Sequence, residues 1–239
     1  MALESNIENN PEPSFEELFA KGVIEFYSRD KHYTIRNANK ISLKESTIRS
    51  RPKYMYLDSH YDREYIKGVY LSTEPIRNNT TGLMEITTAR GDVVVEQPYK
   101  YSCHAVSAYM VAVSKKFPVP KEFIYLCHRA GKIYDYEQYY EYASMFGKQI
   151  VIKHFENLEI NQQNLMSELK KFVREYGVSC ISSGGHVKVL DGFISSKFES
   201  KEYLVIRDPL GFHQLIYDIN TETPTSLGVE KINYVLSFV

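Results

Sequence analysis

The chain has 239 residues, of which 43% are hydrophobic and 25% are charged, a balance typical of a globular protein with a buried core. Its formal net charge of −1 argues against a general basic surface for nucleic acid or an anionic membrane. No apolar run reaches the roughly 18 residues that span a bilayer. Three cysteines are too few, and odd in number, for a disulfide framework, which indicates a reducing compartment.

The first 82 residues give weaker signals than the rest of the chain. Residues 1–13 are polar, contain two prolines and lack the pattern of a signal peptide, so we expect a disordered tail. Ser14 and Glu17 form a capping-box pattern ahead of apolar residues at near-helical spacing, which predicts a helix over 15–28. The whole of 14–82 is interpreted as an N-terminal extension that forms a recognition lobe, a lid or extra strands.

Helical and strand patterns become clear from residue 83, where we place the start of the main domain, 83–239. The runs "LMEITT" and "DVVVEQ" flank "ARGD" and predict a hairpin. From Cys103 to about Lys116 the chain is apolar on nearly every face, which predicts a buried central helix ended by "FPVP". Two further helices are predicted near 120–130 and 135–147, then a strand at "QIVIKHF" and an amphipathic helix at "NQQNLMSELKKFVREYG".

The last part of the chain changes to a period of two. Five strand-like runs follow one another with turn residues between them: "VSCIS", "HVKVLDGFI", "EYLVIRD", "HQLIYDI" and "NYVLSFV". Because helices come first and strands later, the pattern predicts an α+β fold in which the central helix packs on an antiparallel sheet.

Cys103 stands where the buried helix is predicted to begin. The free N–H groups and partial positive charge of a helix N-terminus stabilise a thiolate, the nucleophilic form of cysteine. Gln97, six residues earlier, brings a side-chain amide to the same place. Together with the Cys103 N–H it would form an oxyanion hole. On its own, a cysteine in an apolar helix is more often a core residue.

His186 and Asp208 are candidates for the base and its orienting partner. His186 opens a strand after Gly184 and Gly185, which we expect to leave space above the ring, and Asp208 ends the next strand before a proline. If these strands pair, both side chains lie at one end of the sheet, where the carboxylate would fix the imidazole tautomer. Asp191 should point to the opposite face and is a poorer partner.

No cofactor or metal site is predicted. The pairs Cys103-His104 and Cys127-His128 lack the ligand spacing of zinc sites, and the chain has no phosphate-binding glycine motif. His104 and His128 are therefore interpreted as surface or edge residues.

The segments "QPYKYSCHAVSAYM", "GGHVKVLDGF" and "VIRDPLG" resemble the papain-like cysteine peptidases, above all the bacterial bacteriocin-processing peptidases that cleave leader peptides after a double glycine. The resemblance covers roughly residues 95–215. It implies a papain-like fold, with Gln97 as the oxyanion glutamine, Cys103 as the nucleophile, His186 as the base and Asp208 as the orienting acid.

His104 replaces the glycine that usually follows the nucleophile in that family, and its bulk would narrow the cleft. The resemblance implies a protease that acts on a protein or peptide, whereas the net charge and the lack of a long apolar run predict no nucleic-acid partner and no membrane span. The same residues also serve glutamine deamidases, transglutaminases and acyl transferases, and a catalytically silent binding module is a further alternative. A free-standing domain of this kind is similar to bacterial effectors, which implies a bacterial cytoplasmic protein or one exported without a cleaved signal peptide.

Overall fold

The computed structural model of the protein describes most of the chain from residue 75 onward and three short strands before it. The described residues are 24–27, 32–33, 66–70, 75–88, 91–99, 101–129, 136–155, 162–183, 185–195, 202–210, 212–218 and 232–239.

Four helices and twelve strands make up these residues. The helices are α1 (Cys103–Ser114), α2 (Lys121–Cys127), α3 (Gln138–Met145) and α4 (Gln162–Tyr176). The strands are β1 (Ile24–Tyr27), β2 (His32–Tyr33), β3 (Ile66–Tyr70), β4 (Ile76–Arg77), β5 (Met84–Thr87), β6 (Val93–Val95), β7 (Ile150–His154), β8 (Ser179–Ser183), β9 (His186–Ser195), β10 (Glu202–Asp208), β11 (His213–Asp218) and β12 (Ile232–Phe238). Among the described helices, none is long and apolar enough to cross a bilayer.

The strands form two antiparallel sheets. The larger sheet has the order β2-β1-β3-β11-β10-β9-β8-β12-β7, and the smaller one has the order β4-β5-β6. The predicted α+β class with an antiparallel sheet is therefore confirmed. The predicted hairpin is the β5–β6 pair, in which Ile86 lies opposite Val94. The predicted helices and strands from residue 83 onward are also present, with ends that differ by a few residues.

The predicted helix over 15–28 is wrong where the structure describes it. Residues 24–27 form β1, which pairs with β3 and β2. The run Ile-Glu-Phe-Tyr suits a strand, and in so short a segment helical spacing cannot be distinguished from strand alternation. The rest of that helix and the tail over 1–13 lie outside the described residues. Of the three forms expected for the extension, extra strands fit the described part, since β3 pairs with β11.

Helix α1 lies in the centre of the main hydrophobic core. Ten of its 12 residues are buried, which agrees with an apolar sequence on nearly every face. It packs against β9, where the Ser107 hydroxyl donates a hydrogen bond to the Val187 carbonyl at 3.1 Å. A second core cluster joins α4 to the other side of β9 through Leu169, Leu190 and Phe193. The sheet therefore lies between α1 and α4, and its alternation assigns each β9 side chain to one of the two layers.

A buried ion pair links β10 to β9 and to α1. Arg207 is fully buried, and its Nε lies 2.9 Å from both carboxylate oxygens of Asp191 on β9. It also donates to the Val93 carbonyl at 2.6 Å and to the Ser114 hydroxyl of α1 at 2.8 Å. Gln214 on β11 donates to Asp191 at 2.6 Å. These bonds fix β9, β10 and β11 against α1, because breaking a buried pair leaves an uncompensated charge.

Candidate active site

The nucleophile candidate lies at the first residue of α1. Cys103 is buried, with 7% of its surface exposed. The preceding Ser102 does not cap the helix with its side chain, because its hydroxyl donates to the Tyr99 carbonyl at 3.0 Å. The first amide groups of α1 thus keep their donors directed out of the helix end, next to the Cys103 sulfur. The positive end of the helix dipole acts on the same place.

The imidazole and the carboxylate meet as the sequence predicts. His186 is the first residue of β9 and Asp208 the last of β10, so antiparallel pairing brings both to the same end of the sheet. The distance from His186 Nε2 to Asp208 Oδ1 is 2.8 Å. The same oxygen accepts the Leu210 N–H at 2.8 Å, which holds the buried carboxylate in place. The bond to Nε2 fixes the orientation of the ring and leaves Nδ1 as its second site.

The Cys103 sulfur also influences the His186 ring. Burial lowers the pKa of His186, but the charge and hydrogen bond of Asp208 and a hydrogen bond with Cys103 outweigh burial and raise it to about 9. The imidazolium is therefore the stable form at neutral pH. A protonated ring between a carboxylate and a sulfur is the arrangement that a thiolate–imidazolium pair needs.

Gln97 is held between the helix end and the β10 turn. Its backbone N–H donates to the carbonyl of Pro209, the residue after Asp208, at 2.9 Å. Its side-chain Nε2 donates to the Tyr99 carbonyl at 2.9 Å. The structure thus brings all four predicted residues to one end of the sheet.

Gly185 has a different role from the one expected. A Cβ at this position would meet no atom within 4 Å, so the glycine is not needed to make room beside the ring. Its φ of +80° lies in the left-handed region, which glycine adopts without strain. The backbone turn into β9 therefore explains the residue. Gly184 lies outside the described residues.

The expectation that His104 lies at the surface is wrong. Its side chain is buried, and its Nδ1 lies 2.7 Å from the Tyr142 hydroxyl on α3. The two rings are stacked with their centroids 5.8 Å apart. His104 therefore faces α3, and its bulk is accommodated in the core. Cys127 and Cys180 are fully buried, and burial raises the pKa of each thiol.

Two features of the site were not anticipated from the sequence. Lys188 is buried two residues after His186, and strand alternation was the signal that places both on one face. A cavity of about 270 Å³ also opens beside Gln97. Its lining residues are Arg77, Gly82, Leu83, Met84, Glu96, Gln97, Pro98 and His128. They come from the smaller sheet and its loops and from the end of α2. These segments are distant in sequence, so local sequence patterns do not predict that they meet.

No protein family model, curated protein or solved structure matches this chain. Among the described residues, no group of three histidine, cysteine or acidic side chains is arranged to hold a metal.

Proposed function

We propose that this protein is a papain-like cysteine protease that hydrolyses a peptide bond through a thioester intermediate. One observation carries the proposal: the Asp208 carboxylate lies 2.8 Å from the His186 ring, and Cys103, at the N-terminus of a buried helix, contributes with Asp208 to the raised pKa of that ring. Such an arrangement joins a nucleophile, a proton carrier and an orienting group in the order that covalent catalysis requires.

The first half of the reaction forms the thioester. The thiolate of Cys103 attacks the carbonyl carbon of the scissile bond, and the carbonyl oxygen becomes an oxyanion. The His186 imidazolium then gives its proton to the leaving nitrogen, the carbon–nitrogen bond breaks, and the amine departs. Asp208 accepts the hydrogen bond of Nε2–H, so the proton that the imidazolium transfers is the one on Nδ1.

The second half releases the acid. Neutral His186 removes a proton from water, the hydroxide adds to the thioester carbon, and the carbon–sulfur bond breaks to return the thiolate. The imidazolium is thereby restored. A pKa of about 9 in the resting enzyme favours the charged ring for the first half, when it must act as an acid.

The oxyanion is assigned to two donors. One is the Cys103 backbone N–H, at the end of α1 that no side chain of Ser102 caps. The other is the Gln97 side-chain amide, whose nitrogen also donates to the Tyr99 carbonyl. Two fixed donors that require no reorganisation during the reaction are the usual source of oxyanion stabilisation.

The cavity beside Gln97 supports a substrate that extends past the reacting bond. Apolar Leu83 and Met84 and charged Arg77 and Glu96 are among the residues that line it. A void of about 270 Å³ is large enough for an amino-acid side chain. A peptide bound across Cys103 would therefore have a place for one of its neighbouring residues.

The test of the proposal is the rate at which iodoacetamide alkylates Cys103 as a function of pH. We expect fast alkylation well below pH 7 in the wild type and loss of that low-pH reactivity in His186→Ala. Cys103→Ala, which retains Cys127 and Cys180, gives the background. Alkylation that begins only at the pH of a free cysteine in both proteins would contradict the proposal.

Peptide libraries then identify the reaction. New termini in the wild type and none in Cys103→Ala are the expected result. Release of ammonia from glutamine without chain cleavage would replace the protease by a deamidase, and amide exchange with an added amine would indicate a transferase. Tight binding by both proteins without any turnover would favour the binding module.

A further inference from the structure

The cavity beside Gln97 lies close to the start of α1. The Tyr99 carbonyl accepts the Gln97 side-chain amide at 2.9 Å and the Ser102 hydroxyl at 3.0 Å, and Ser102 directly precedes Cys103. Gln97 is also one of the residues that line the cavity. A substrate residue close to the bond that Cys103 attacks can therefore place its side chain in this cavity.

Hydrogen bonds hold the walls of the cavity in place. The Glu96 N–H donates to the Met84 carbonyl at 3.0 Å, which ties the segment after β6 to β5. His128 Nε2 donates to the Thr81 carbonyl at 2.7 Å, which ties the end of α2 to the turn before β5. A cavity whose walls are already fixed loses little free energy to ordering when a side chain enters.

Glu96 differs from Glu85, the acidic residue of β5. Asn78 Nδ2 lies 3.1 Å from both Glu85 carboxylate oxygens, and the Tyr109 hydroxyl donates to one of them at 3.4 Å. Among the described residues, none donates a hydrogen bond to the Glu96 side chain or forms an ion pair with it, although Glu96 is half-buried. A carboxylate that has lost part of its hydration gains from a cation that enters the cavity.

Arg77 also lines the cavity, but its charge is less effective there. Its side chain is exposed, and its Nη1 donates to the Gly82 carbonyl at 3.1 Å. Arg77 and Glu96, which both belong to the described part of the chain, form no ion pair with each other. Because water screens an exposed charge more than a half-buried one, Arg77 repels a bound cation less than Glu96 attracts it.

We propose that this cavity is a specificity site for a lysine or arginine side chain of the substrate, and that Glu96 is the residue that selects it. The inference rests on the proposed function. The methylene stem of a basic side chain packs against Leu83 and Met84, and its cationic head reaches the Glu96 carboxylate. An acidic side chain is repelled by Glu96, and an apolar one leaves the carboxylate without a partner.

The experiment begins with a peptide library whose cleavage sites are identified by mass spectrometry. We expect lysine or arginine at one fixed position relative to the cut. Values of kcat/KM are then measured for three peptides that differ only there, with lysine, its uncharged analogue norleucine, or glutamate. The lysine peptide should be preferred over the norleucine peptide by about tenfold or more, as for a hydrogen bond to a charged group.

Variants of the cavity identify the residue that sets this ratio. Glu96→Gln should bring the ratio close to one, whereas Glu96→Asp keeps the charge and should retain a preference for lysine. Arg77→Gln removes a repulsion and should raise the ratio. Glu141→Gln is the matched control, because it removes the same charge from an exposed position on α3 that does not line the cavity. Its ratio should equal that of the wild type.

The outcomes separate the specificity site from the proposed function. A wild type that cleaves peptides but prefers acidic or apolar residues would overturn the role of Glu96 alone. An unchanged ratio in Glu96→Gln, or an equal fall of kcat/KM for all three peptides, would do the same. A wild type that cleaves no peptide of the library would overturn the proposed function, and the specificity site with it.

Discussion

Strands β9 and β10 are joined by two charged pairs, Arg207–Asp191 and Asp208–His186. The two pairs differ in how far their polar groups are already hydrogen-bonded and buried. Arg207 and Asp191 bind each other, and they also bind Val93, Ser114 and Gln214, with no exposed surface on the arginine. Asp208 binds His186, whose side chain is 21% exposed and whose pKa Cys103 also raises. Arg207 and Asp208 are consecutive residues of β10, so their side chains point to opposite faces of the strand.

The two pairs differ in how many of their hydrogen-bonding groups have a fixed partner. Every donor direction of Arg207 described above ends on a fixed acceptor, so the guanidinium has no reason to exchange partners. His186 has Nε2 on a fixed carboxylate, and Cys103, a group that can change charge, also influences the ring. A pair of the first kind resists change, and a pair of the second kind transfers a proton.

The largest expected effect is a loss of activity when the His186–Asp208 pair is broken. His186→Ala should lower kcat/KM by at least about 10⁴-fold, because it removes the acid and base together. The free energy of unfolding should change far less. Steady-state kinetics on the cleaved peptide and urea unfolding measure the two effects. A variant that retains turnover would show that another group moves the proton.

The second effect is a loss of folding stability when the Arg207–Asp191 pair is broken. Arg207→Met should reduce the free energy of unfolding by about 3–5 kcal/mol, because it leaves Asp191 charged and buried. The double variant Arg207→Met, Asp191→Leu is the control and should recover part of the loss. Urea unfolding measures both, and low-pH alkylation of the molecules that remain folded should be unchanged. Equal stability of Arg207→Met and wild type would contradict the structural role.

The third effect is a pH dependence of the free energy of unfolding, which we expect from the His186–Asp208 pair and not from the Arg207–Asp191 pair. The pKa of His186 rises from 6.5 to about 9 on folding, so protonation stabilises the native state. This contribution, about 3 kcal/mol, is fully present below pH 6.5, declines between pH 6.5 and 9 and is absent above that range.

The measurement is the free energy of unfolding of wild type minus that of His186→Asn across this range. Taking the difference removes the titrations that both proteins share. We expect the difference to fall as pH rises. A flat difference would mean that Asp208 and Cys103 do not stabilise the charged ring.

The smallest effect concerns the turn that presents His186. Gly185→Ala should cost about 1 kcal/mol of unfolding free energy, since its φ of +80° is strained for alanine. Gly147 has a φ of +66° and equally open surroundings, so Gly147→Ala is a matched control with a similar cost. Only Gly185→Ala should also slow alkylation of Cys103. If both variants changed the alkylation rate equally, the turn at Gly185 would have no specific role in positioning His186.

The sequence predicts most of the site because each residue occupies the end of a regular element. Cys103 begins an apolar helix, His186 begins a strand and Asp208 ends the next strand, so local periodicity fixes all three positions. The His186–Asp208 contact then requires only that two successive strands pair, which is the commonest connection.

Other features depend on tertiary contacts that local pattern does not contain. Residues 24–27 form a strand because β3 is present to pair with them, although their spacing also suits a helix. His104 is buried because Tyr142, far along the chain, supplies a partner for its ring. The bond from Arg207 to Ser114 likewise joins residues 93 positions apart.

The order in which the site assembles follows from the lengths of chain between its parts. His186 and Asp208 are 22 residues apart, whereas the bond that docks α1 on β9, from Ser107 to Val187, joins residues 80 apart. Short loops close at a lower entropic cost and contribute to faster folding. The base and its carboxylate can therefore meet on an early hairpin, while the sulfur arrives only when α1 docks. During refolding, Cys103 should behave as an ordinary thiol until that late step, so the onset of low-pH alkylation would time the completion of the native core.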